Sequence, residues 1–298
     1  MKTLSTVVVL ADAYEEHIVG GAELTLGALI DAVPTGVKVV KLLGREVQLS
    51  HVHRYQDALW IVGNYATVPK SVLVEIANLT RYVFVEFDYK YCSHRSSHLH
   101  THTTGQACSC HTTEFGAFAR GFIRRSMLTF FMSKEQMGEY TRLFPSLNRG
   151  NLRVQGSTWR VSELDRLEEV RKSTQEKSDT WMVLGGGSWI KNQDNTEAGL
   201  KALGRPYKVF GGQVPYNDFV KEMAKHKGLC FHPAGFDTCP RIVIEAALLG
   251  LEIDINDFVQ HKTEKWWIDC VSNPKKLRKY LANRPGYFWS EIVKELEK

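Results

Sequence analysis

The feature that most constrains this chain is a regular alternation of short apolar, β-branched runs with segments of helical periodicity. In the first part of the chain these apolar runs are Thr6–Leu10, Val37–Leu43, Ala58–Val62 and Tyr82–Glu86. Strands separated by helices at this spacing form a parallel sheet with helices on both faces. The sequence therefore predicts an α/β fold, in which ligands lie beyond the carboxyl ends of the strands.

A second strand–helix series indicates a second domain. Its apolar runs are Trp181–Leu184, Tyr207–Phe210, Gly228–Phe231 and Leu251–Asp254. A chain of 298 residues is long enough for two domains, because a domain commonly holds about 100–200 residues. The charged segment 163–177 is typical of a solvated helix and linker. We therefore predict domains at residues 1–177 and 178–298, with the last helix, 287–298, a candidate to pack back on the first domain.

Composition limits the class of protein. Apolar residues make up 43% of the chain and charged residues 24%, as in ordinary globular proteins. No apolar run approaches the roughly 20 residues that cross a bilayer, so membrane insertion is not expected. The chain enters an apolar strand at once and Asp12, Glu15 and Glu16 follow, unlike a signal peptide. These features predict a cytoplasmic location, in the host cytoplasm if the protein is virus-encoded. A net charge of +5 allows a polyanionic partner without requiring one.

The strongest chemical signal is the segment 232–250, HPAGFDTCPRIVIEAALLG. Pro240 suits the first turn of a helix, where its missing N–H is no loss. Backbone N–H groups at such a helix start favour a phosphate. Asp237 precedes the helix and can accept sugar hydroxyls, whereas Glu245 inside the helix can accept both hydroxyls of a ribose. A buried helix with incidental charges is the alternative interpretation.

One glycine-rich segment follows the opening strand of each series. Residues 184–191 read LGGGSWIK, and Gly20–Gly21 follow the first strand. Glycines let the backbone come close to a ligand, and the Lys191 ammonium can offset charge on a leaving group. Taken alone, each segment is equally compatible with a plain strand–helix turn.

In this order the motifs resemble those of retaining glycosyltransferases of the GT-B fold, in which two Rossmann-like domains face each other across a cleft. The family's donor signature has two acidic residues separated by seven others, the second within P-R-x-x-x-E-A. Pro240, Arg241 and Glu245 match this pattern, and the first acid is Asp237 where the family usually has Glu. A shorter acidic arm is compatible with a pentose donor. The segment 210–216, FGGQVPY, also resembles the part of the family that holds the nucleotide base.

The resemblance implies a nucleotide-sugar donor, UDP-linked, and no catalytic metal. It implies donor-binding roles for Gly20, Gly21, Gly186, Gly187, Lys191, Arg241 and Glu245. It implies catalytic roles for Asp237, Glu245 and Lys191, and Gly20–Gly21 reaching across the cleft to the donor phosphates. In the first domain Asp88, at the end of the segment Glu86-Phe-Asp88, is a candidate to touch the acceptor; simple solvation of a loop explains it equally well.

A stretch rich in cysteine and histidine, residues 92–113 and here called the Cys/His insert, interrupts the first series. Eight thiol or imidazole groups lie within 20 residues there, and zinc needs four. We predict a structural zinc site with Cys92, Cys108, Cys110 and His111 as ligands. The alternative is a polar loop with reduced thiols.

The acceptor has the weakest signal. Arg95 and the stretch Arg120–Arg125 place positive and aromatic groups on the first domain. The arrangement Glu86-x-Asp-Tyr-x-Tyr-Cys…Arg…Cys-x-Cys, followed by Phe131-Met-Ser133, also resembles compact virus-encoded, phage-type glycosyltransferases. Some of these glycosylate hydroxymethylated bases, which implies double-stranded DNA with such bases as a candidate acceptor. Alternatives are a glycan or small-molecule acceptor, a nucleotide-sugar epimerase, and a non-catalytic GT-B-like protein that binds nucleic acid or another partner. A dehydrogenase is disfavoured because G-x-G-x-x-G is missing.

Overall fold

The computed structural model describes residues 4–147, 149–211 and 214–298, without the side chain of Arg149. Gly212 and Gln213, in the segment predicted to hold the nucleotide base, lie outside the described residues. The chain divides into two compact units. Unit 1 comprises the residues up to Trp159 together with Asn283–Lys298, and unit 2 comprises Arg160–Ala282.

Unit 1 contains a six-stranded parallel sheet. Its strands are β1 (Thr6–Ala11), β2 (Lys38–Leu43), β3 (Leu59–Val62), β4 (Arg81–Glu86), β5 (Leu128–Phe131) and β6 (Leu152–Val154). Their order in the sheet is β2-β1-β3-β4-β5-β6. The helices that connect them are α1 (Gly21–Asp31), α2 (Leu49–Arg54), α3 (Lys70–Leu79), α4 (Ser97–Thr104), α5 (Glu114–Arg125) and α6 (Lys134–Leu143).

Unit 2 contains a four-stranded parallel sheet. Its strands are β7 (Trp181–Leu184), β8 (Tyr207–Phe210), β9 (Gly228–Phe231) and β10 (Glu252–Ile255). Their order is β10-β9-β7-β8. Its helices are α7 (Val161–Ser173), α8 (Gln193–Ala202), α9 (Tyr216–Ala224), α10 (Arg241–Leu248), α11 (Lys265–Cys270) and α12 (Pro274–Ala282).

The units divide at residues 159 and 160, not at the predicted residue 177. The segment expected to be a solvated helix and linker forms α7, and α7 packs on α9, α10 and α12 within unit 2. Leu164 and Leu167, three residues apart on one face, are each 1% exposed. Burial of this apolar pair outweighs the solvation of the charged residues around it, which attaches α7 to the second unit.

The last helix, α13 (Arg284–Leu296), contributes to the core of unit 1. Phe288, Trp289 and Ile292 are buried among strand residues such as Phe130, whose ring centroid lies 4.5 Å from that of Phe288. The Trp289 indole N–H donates to the carbonyl of Leu29 at 2.9 Å. The chain therefore returns to its first unit after completing the second.

Each sheet has one position where the strand order reverses direction. In unit 1 it lies between β1 and β3, and in unit 2 between β7 and β9. Loops that leave such neighbouring strands diverge and open a crevice for ligands at the carboxyl ends. Among the described residues, no helix combines the length and apolarity needed to cross a membrane.

Candidate functional site

The glycine turn, residues 185–191, leaves β7 at its carboxyl end. Gly186 has φ of +130°, a conformation that residues with a side chain rarely adopt. Its N–H donates to Gln193 Oε1 at 3.2 Å. Lys191 Nζ donates to the carbonyl of Gly185 at 3.0 Å, and a Cβ on Gly186 would meet that Nζ at 2.9 Å. The turn therefore holds an ammonium group close to the exposed backbone of Gly186 and Gly187.

The acidic loop, residues 232–240, leaves β9 and lies beside the glycine turn. Asn192 Nδ2 donates to the carbonyl of His232 at 2.9 Å, and the Ala234 N–H donates to the carbonyl of Ile190 at 3.1 Å. Asn192 itself has φ of +49° and begins α8. The structure thus brings together, at the switch point of unit 2, the two segments that the sequence places about 50 residues apart.

Asp237 is held in the acidic loop by main-chain bonds. Its N–H donates to the carbonyl of Phe258 at 2.9 Å, and its carbonyl accepts the Gln260 N–H at 3.0 Å. Burial raises the pKa of the Asp237 carboxyl to about 7, against the lowering effect of the Cys239 backbone N–H. This carboxyl therefore changes its charge near neutral pH.

Glu245 on α10 is 4% exposed and lies among polar partners. Its Oε1 accepts the Tyr216 hydroxyl at 2.8 Å and lies 3.9 Å from Arg241 Nε. Burial raises the pKa of Glu245, although Arg241 and Tyr216 act in the opposite direction. Tyr216 and Arg241 thus both lie against Oε1 of this carboxylate.

Arg241 is the first residue of α10 and contacts α7. It is 6% exposed, and its guanidinium donates to Glu163 Oε1 on α7 at 2.9 Å. We expected this side chain to contact the donor directly. Buried between α7 and α10, the guanidinium lies against the carboxylates of Glu163 and Glu245, and its contact with a donor stays a prediction.

Several polar partners at this edge escaped sequence analysis. His232 Nε2 lies 2.8 Å from Asp254 Oδ1, and Arg205 donates to Asp254 Oδ2 at 2.8 Å. Asp254 ends the apolar run of β10, and no spacing rule links it to His232. Gln193 and Glu163 were missed for the same reason, since only the fold brings them to the motifs.

In unit 1 the glycine pair opens α1. Gly20 has an ordinary extended φ of −132°, and Gly21 is the first helical residue. A Cβ on Gly20 would lie 2.4 Å from Glu23 Oε2. Any larger residue at position 20 would therefore require the flexible Glu23 side chain to move.

Asp88 lies just beyond β4 in a network of buried charges. Its carboxylate accepts Arg95 Nε at 2.6 Å and Lys90 Nζ at 3.1 Å. Although burial alone raises the pKa of Asp88, the positive charges of Lys90 and Arg95 outweigh it and hold the pKa below its usual range. An ionised carboxylate shared by two cations orients those cations and is a poor proton acceptor.

Glu86, two residues earlier, is fully buried. Its carboxylate accepts Lys90 Nζ at 2.8 Å, the Asp88 N–H at 3.0 Å and the Tyr140 hydroxyl at 2.8 Å. Burial raises the pKa of Glu86 to about 7, against the lowering effect of Lys90. Glu86 thus holds Lys90 through a buried ion pair and does not reach the surface.

These cations form part of the wall of a cavity of about 430 Å³, here called the unit 1 pocket. It lies beyond the carboxyl ends of β3 and β4. Its walls include the cations Lys70, Lys90 and Arg95 and the rings of Tyr65, Phe115 and Phe118. The Tyr65 hydroxyl is buried without a hydrogen-bond partner among the described residues. Each cation pairs with a carboxylate: Lys70 with Glu114, which also lines the pocket, and Lys90 and Arg95 with Asp88. The pocket therefore combines aromatic faces with paired charges, which suits a flat polar ligand.

The Cys/His insert brings one imidazole and three thiols together. Cys92, Cys108, Cys110 and His100 have ligand atoms all within 4.8 Å of one another. The predicted fourth ligand, His111, is not in this group. Cys110 and His111 are neighbours in one 3-10 turn, where successive side chains point about 120° apart. The two side chains therefore do not face the same metal position. His100 lies on α4, and only the fold of the insert brings its imidazole close to the thiols.

Comparison with known proteins places this geometry in a structural class. No protein-family model and no curated protein matches the chain. Among solved structures, HepE from Anabaena with UDP and glucose is 11% identical, with 95% of this chain and 94% of that one covered and a TM-score of 0.52. The Candida albicans trehalose-6-phosphate phosphatase N-terminal domain is 8% identical, with 98% and 97% covered and a TM-score of 0.58. The chain has the GT-B fold.

A third structure, the E. coli trehalose-6-phosphate protein bound with UDP-2-fluoro glucose, is 9% identical, with 98% and 96% covered and a TM-score of 0.52. At such identities the likeness shows the fold alone. The predicted fold class, α/β with two Rossmann-like domains of the GT-B kind, is confirmed.

Proposed function

We propose that this protein is a glycosyltransferase that moves a sugar from a UDP-linked donor to an acceptor hydroxyl. The observation that carries the proposal is the assembly of Lys191, the exposed backbone of Gly186–Gly187 and the loop of Asp237 at the switch point of unit 2. Similar structures hold UDP with glucose, or UDP-2-fluoro glucose. Their ligands support the same donor class for this chain.

The diphosphate is assigned to the glycine turn. The Lys191 ammonium lies beside the exposed Gly186 and Gly187, so a phosphate there meets a positive charge and a closely approachable backbone. The N-terminus of α10 follows the acidic loop and adds favourable potential for an anion. Because negative charge grows on the leaving diphosphate during transfer, the same ammonium lowers the barrier.

The ribose and the sugar are assigned to the two acidic residues. Glu245, oriented by Tyr216 and Arg241, accepts ribose hydroxyls through Oε2. Asp237 accepts hydroxyls of the transferred sugar. Its side chain is one methylene shorter than the Glu usual in the family, which leaves space for a differently shaped sugar and keeps a pentose among the candidate donors.

The acceptor is assigned to the unit 1 pocket, and the acceptor proposed is a hydroxymethylated base of double-stranded DNA. A volume of about 430 Å³ is in the range of small-ligand sites and accommodates one extruded base. Tyr65 and Phe118 offer rings for stacking, and Lys70 and Arg95 offer N–H groups that can donate to a base. The exposed arginines of α5, which also contributes Phe118 to the pocket, suit the phosphate backbone; they are Arg120, Arg124 and Arg125.

The chemistry needs no protein nucleophile. The acceptor oxygen forms a bond to the anomeric carbon while the bond from that carbon to the diphosphate oxygen breaks on the same face. The departing diphosphate takes the acceptor proton, so charge and atoms balance and the anomeric configuration is retained. Asp88 is not assigned as the base, because Lys90 and Arg95 lower its pKa and make its carboxylate a weak proton acceptor. Its assigned role is to orient those two cations in the pocket.

The test is a panel of UDP-hexoses and UDP-pentoses, each with hydroxymethylated or unmodified DNA of one sequence. We expect UDP release only with the modified DNA, and mass spectrometry should find the added sugar on the base. NMR of the product then gives the anomeric configuration. Binding to DNA should weaken steeply with salt, since phosphate contacts release counterions.

The outcomes separate the candidate functions. Donor binding without DNA-dependent turnover would retain the transferase and direct the search to glycan or small-molecule acceptors. An altered nucleotide sugar without any acceptor would indicate an epimerase. Failure of every nucleotide sugar to bind would refute the transferase and favour a non-catalytic, partner-binding role.

A further inference from the structure

The ligand atoms of the Cys/His insert have the dimensions of a filled coordination sphere. Cys92 and Cys108 sulfurs lie 3.5 Å apart, and His100 Nδ1 lies 3.8 Å from Cys92 Sγ and 3.4 Å from Cys110 Sγ. With Zn–S of about 2.3 Å and Zn–N of about 2.0 Å, the edges of a tetrahedral site are about 3.8 Å between sulfurs and about 3.5 Å from sulfur to nitrogen. The three separations above fall close to these values, and the other pairs of ligand atoms lie within 4.8 Å.

We propose that Cys92, His100, Cys108 and Cys110 bind one Zn²⁺ ion. Thiolate and imidazole donors in a tetrahedral S₃N arrangement favour zinc over the oxygen-seeking magnesium and calcium. Four protein ligands leave no open position for water or substrate, so the ion is structural. The ion takes no part in the bonds that form and break in glycosyl transfer.

The insert has little else to hold it together. The helix α4 that carries His100 has no buried residue, and Cys92 and Cys110 are the buried ends of the segment. Folding such a segment yields little apolar burial to offset the loss of chain entropy. A metal that ties its start, middle and end together supplies that stabilisation directly.

The site also borders the unit 1 pocket. Cys92 and Ser93 line that pocket, and the Ser93 hydroxyl lies 3.6 Å from Cys110 Sγ, where it can donate to a bound thiolate. The Arg95 N–H donates to the carbonyl of Cys92 at 2.9 Å, and Arg95 has φ of +56°. Zinc at Cys92 therefore fixes the turn that presents Arg95 to Asp88.

The first measurement is metal analysis of the untagged, full-length protein by plasma mass spectrometry, with thiol titration in denaturant after chelation. We expect one zinc per chain and all six cysteines as free thiols. Replacement of zinc by Co²⁺ should give the visible absorption of a tetrahedral site and a thiolate charge-transfer band. Well under one zinc per chain from zinc-supplemented cells, or two thiols lost to a disulfide, would overturn the proposal.

The second measurement separates the ligands from their neighbours. His100→Ala and Cys110→Ser should lose the metal, whereas His111→Ala and the exposed helix control His102→Ala should keep it. Amide exchange of unit 2 in the same samples reports whether the rest of the chain is folded. Full zinc content in His100→Ala, or its loss in His111→Ala, refutes the assigned ligand set. Neither readout depends on a sugar donor or an acceptor, so the zinc site and the transferase fail or succeed separately.

Discussion

Replacement of Arg241 by Met is expected to destabilise unit 2 strongly. The guanidinium is 6% exposed and donates to Glu163 at 2.9 Å, with Glu245 3.9 Å away. Methionine keeps much of the buried volume and removes the charge, so two carboxylates lose their common cation. Leaving a partner of a buried ion pair uncompensated costs about 3–5 kcal/mol.

The loss of unfolding free energy expected for Arg241→Met lies at the lower end of this range. The Glu163 side chain is 14% exposed and keeps its bond to the Arg160 N–H at 2.7 Å, so water and backbone relieve part of the penalty. Glu245 can take up a proton, since burial already raises its pKa. We therefore expect about 3 kcal/mol near pH 7 and a smaller loss at acid pH, where protonated carboxyls need no cation.

The assay is native-state hydrogen exchange of peptides from α7 and α10, which reports unit 2 by itself; unit 1 peptides serve as an internal reference. The matched control is Arg278→Met, which removes an arginine that is 32% exposed and pairs with Asp165 and Glu168 on α7. That change should cost less than about 1 kcal/mol. A double-mutant cycle with Glu163→Gln should show a coupling of about 1–3 kcal/mol.

Two results would refute this reasoning. One is a loss in Arg241→Met no larger than that in Arg278→Met. The other is weaker UDP binding in Arg241→Met with the stability of unit 2 unchanged, which would show that the guanidinium faces the donor, as its match to the family signature suggested.

Three further predictions concern separate parts of the molecule. Lys191→Ala should weaken UDP binding about 10- to 100-fold in calorimetry, the effect of losing one charge-assisted contact. Lys201→Ala, which removes an exposed lysine of α8, should leave UDP binding unchanged. Equal losses in the two variants would contradict the assignment of the diphosphate to the glycine turn. Because the folded-state pKa of Asp237 is raised to about 7, its contribution to the stability of unit 2 is full at low pH and is lost as pH rises from about 4 to 7, by up to about 4 kcal/mol. Asp237→Asn should remove this dependence in urea titrations, and an unchanged pH profile would contradict it. Phe288→Ala should destabilise unit 1 by about 3–5 kcal/mol while exchange in unit 2 is unchanged; protection lost in unit 2 instead would contradict the placement of α13.

The sequence predicted the fold and the position of the glycine turn and the acidic loop within it. Alternation of apolar runs with helical segments specifies parallel strands, and the strands appear close to where the runs lie, as at 181–184 and 228–231. The glycine turn and the acidic loop each follow such a run, which fixes them at the carboxyl edge. Local periodicity suffices here because the information is contained within a few residues of the chain.

Other features depended on packing between distant segments. From its many charged residues, α7 was expected to be a linker at the end of the first domain. The burial of Leu164 and Leu167 instead attaches it to unit 2. The motif match predicts that Arg241 binds the donor, whereas only the fold shows that its guanidinium donates to Glu163 of α7.

The Cys/His insert shows the same division. Composition alone established that enough thiols and imidazoles were present for a metal, and it singled out the three cysteines that the fold brings together. Which histidine joins them was decided by the turn that directs His111 away and by the helix that brings His100 back. Residue types and short spacings are written in the sequence, whereas the direction of a side chain toward a partner far along the chain exists only once the backbone between them has folded.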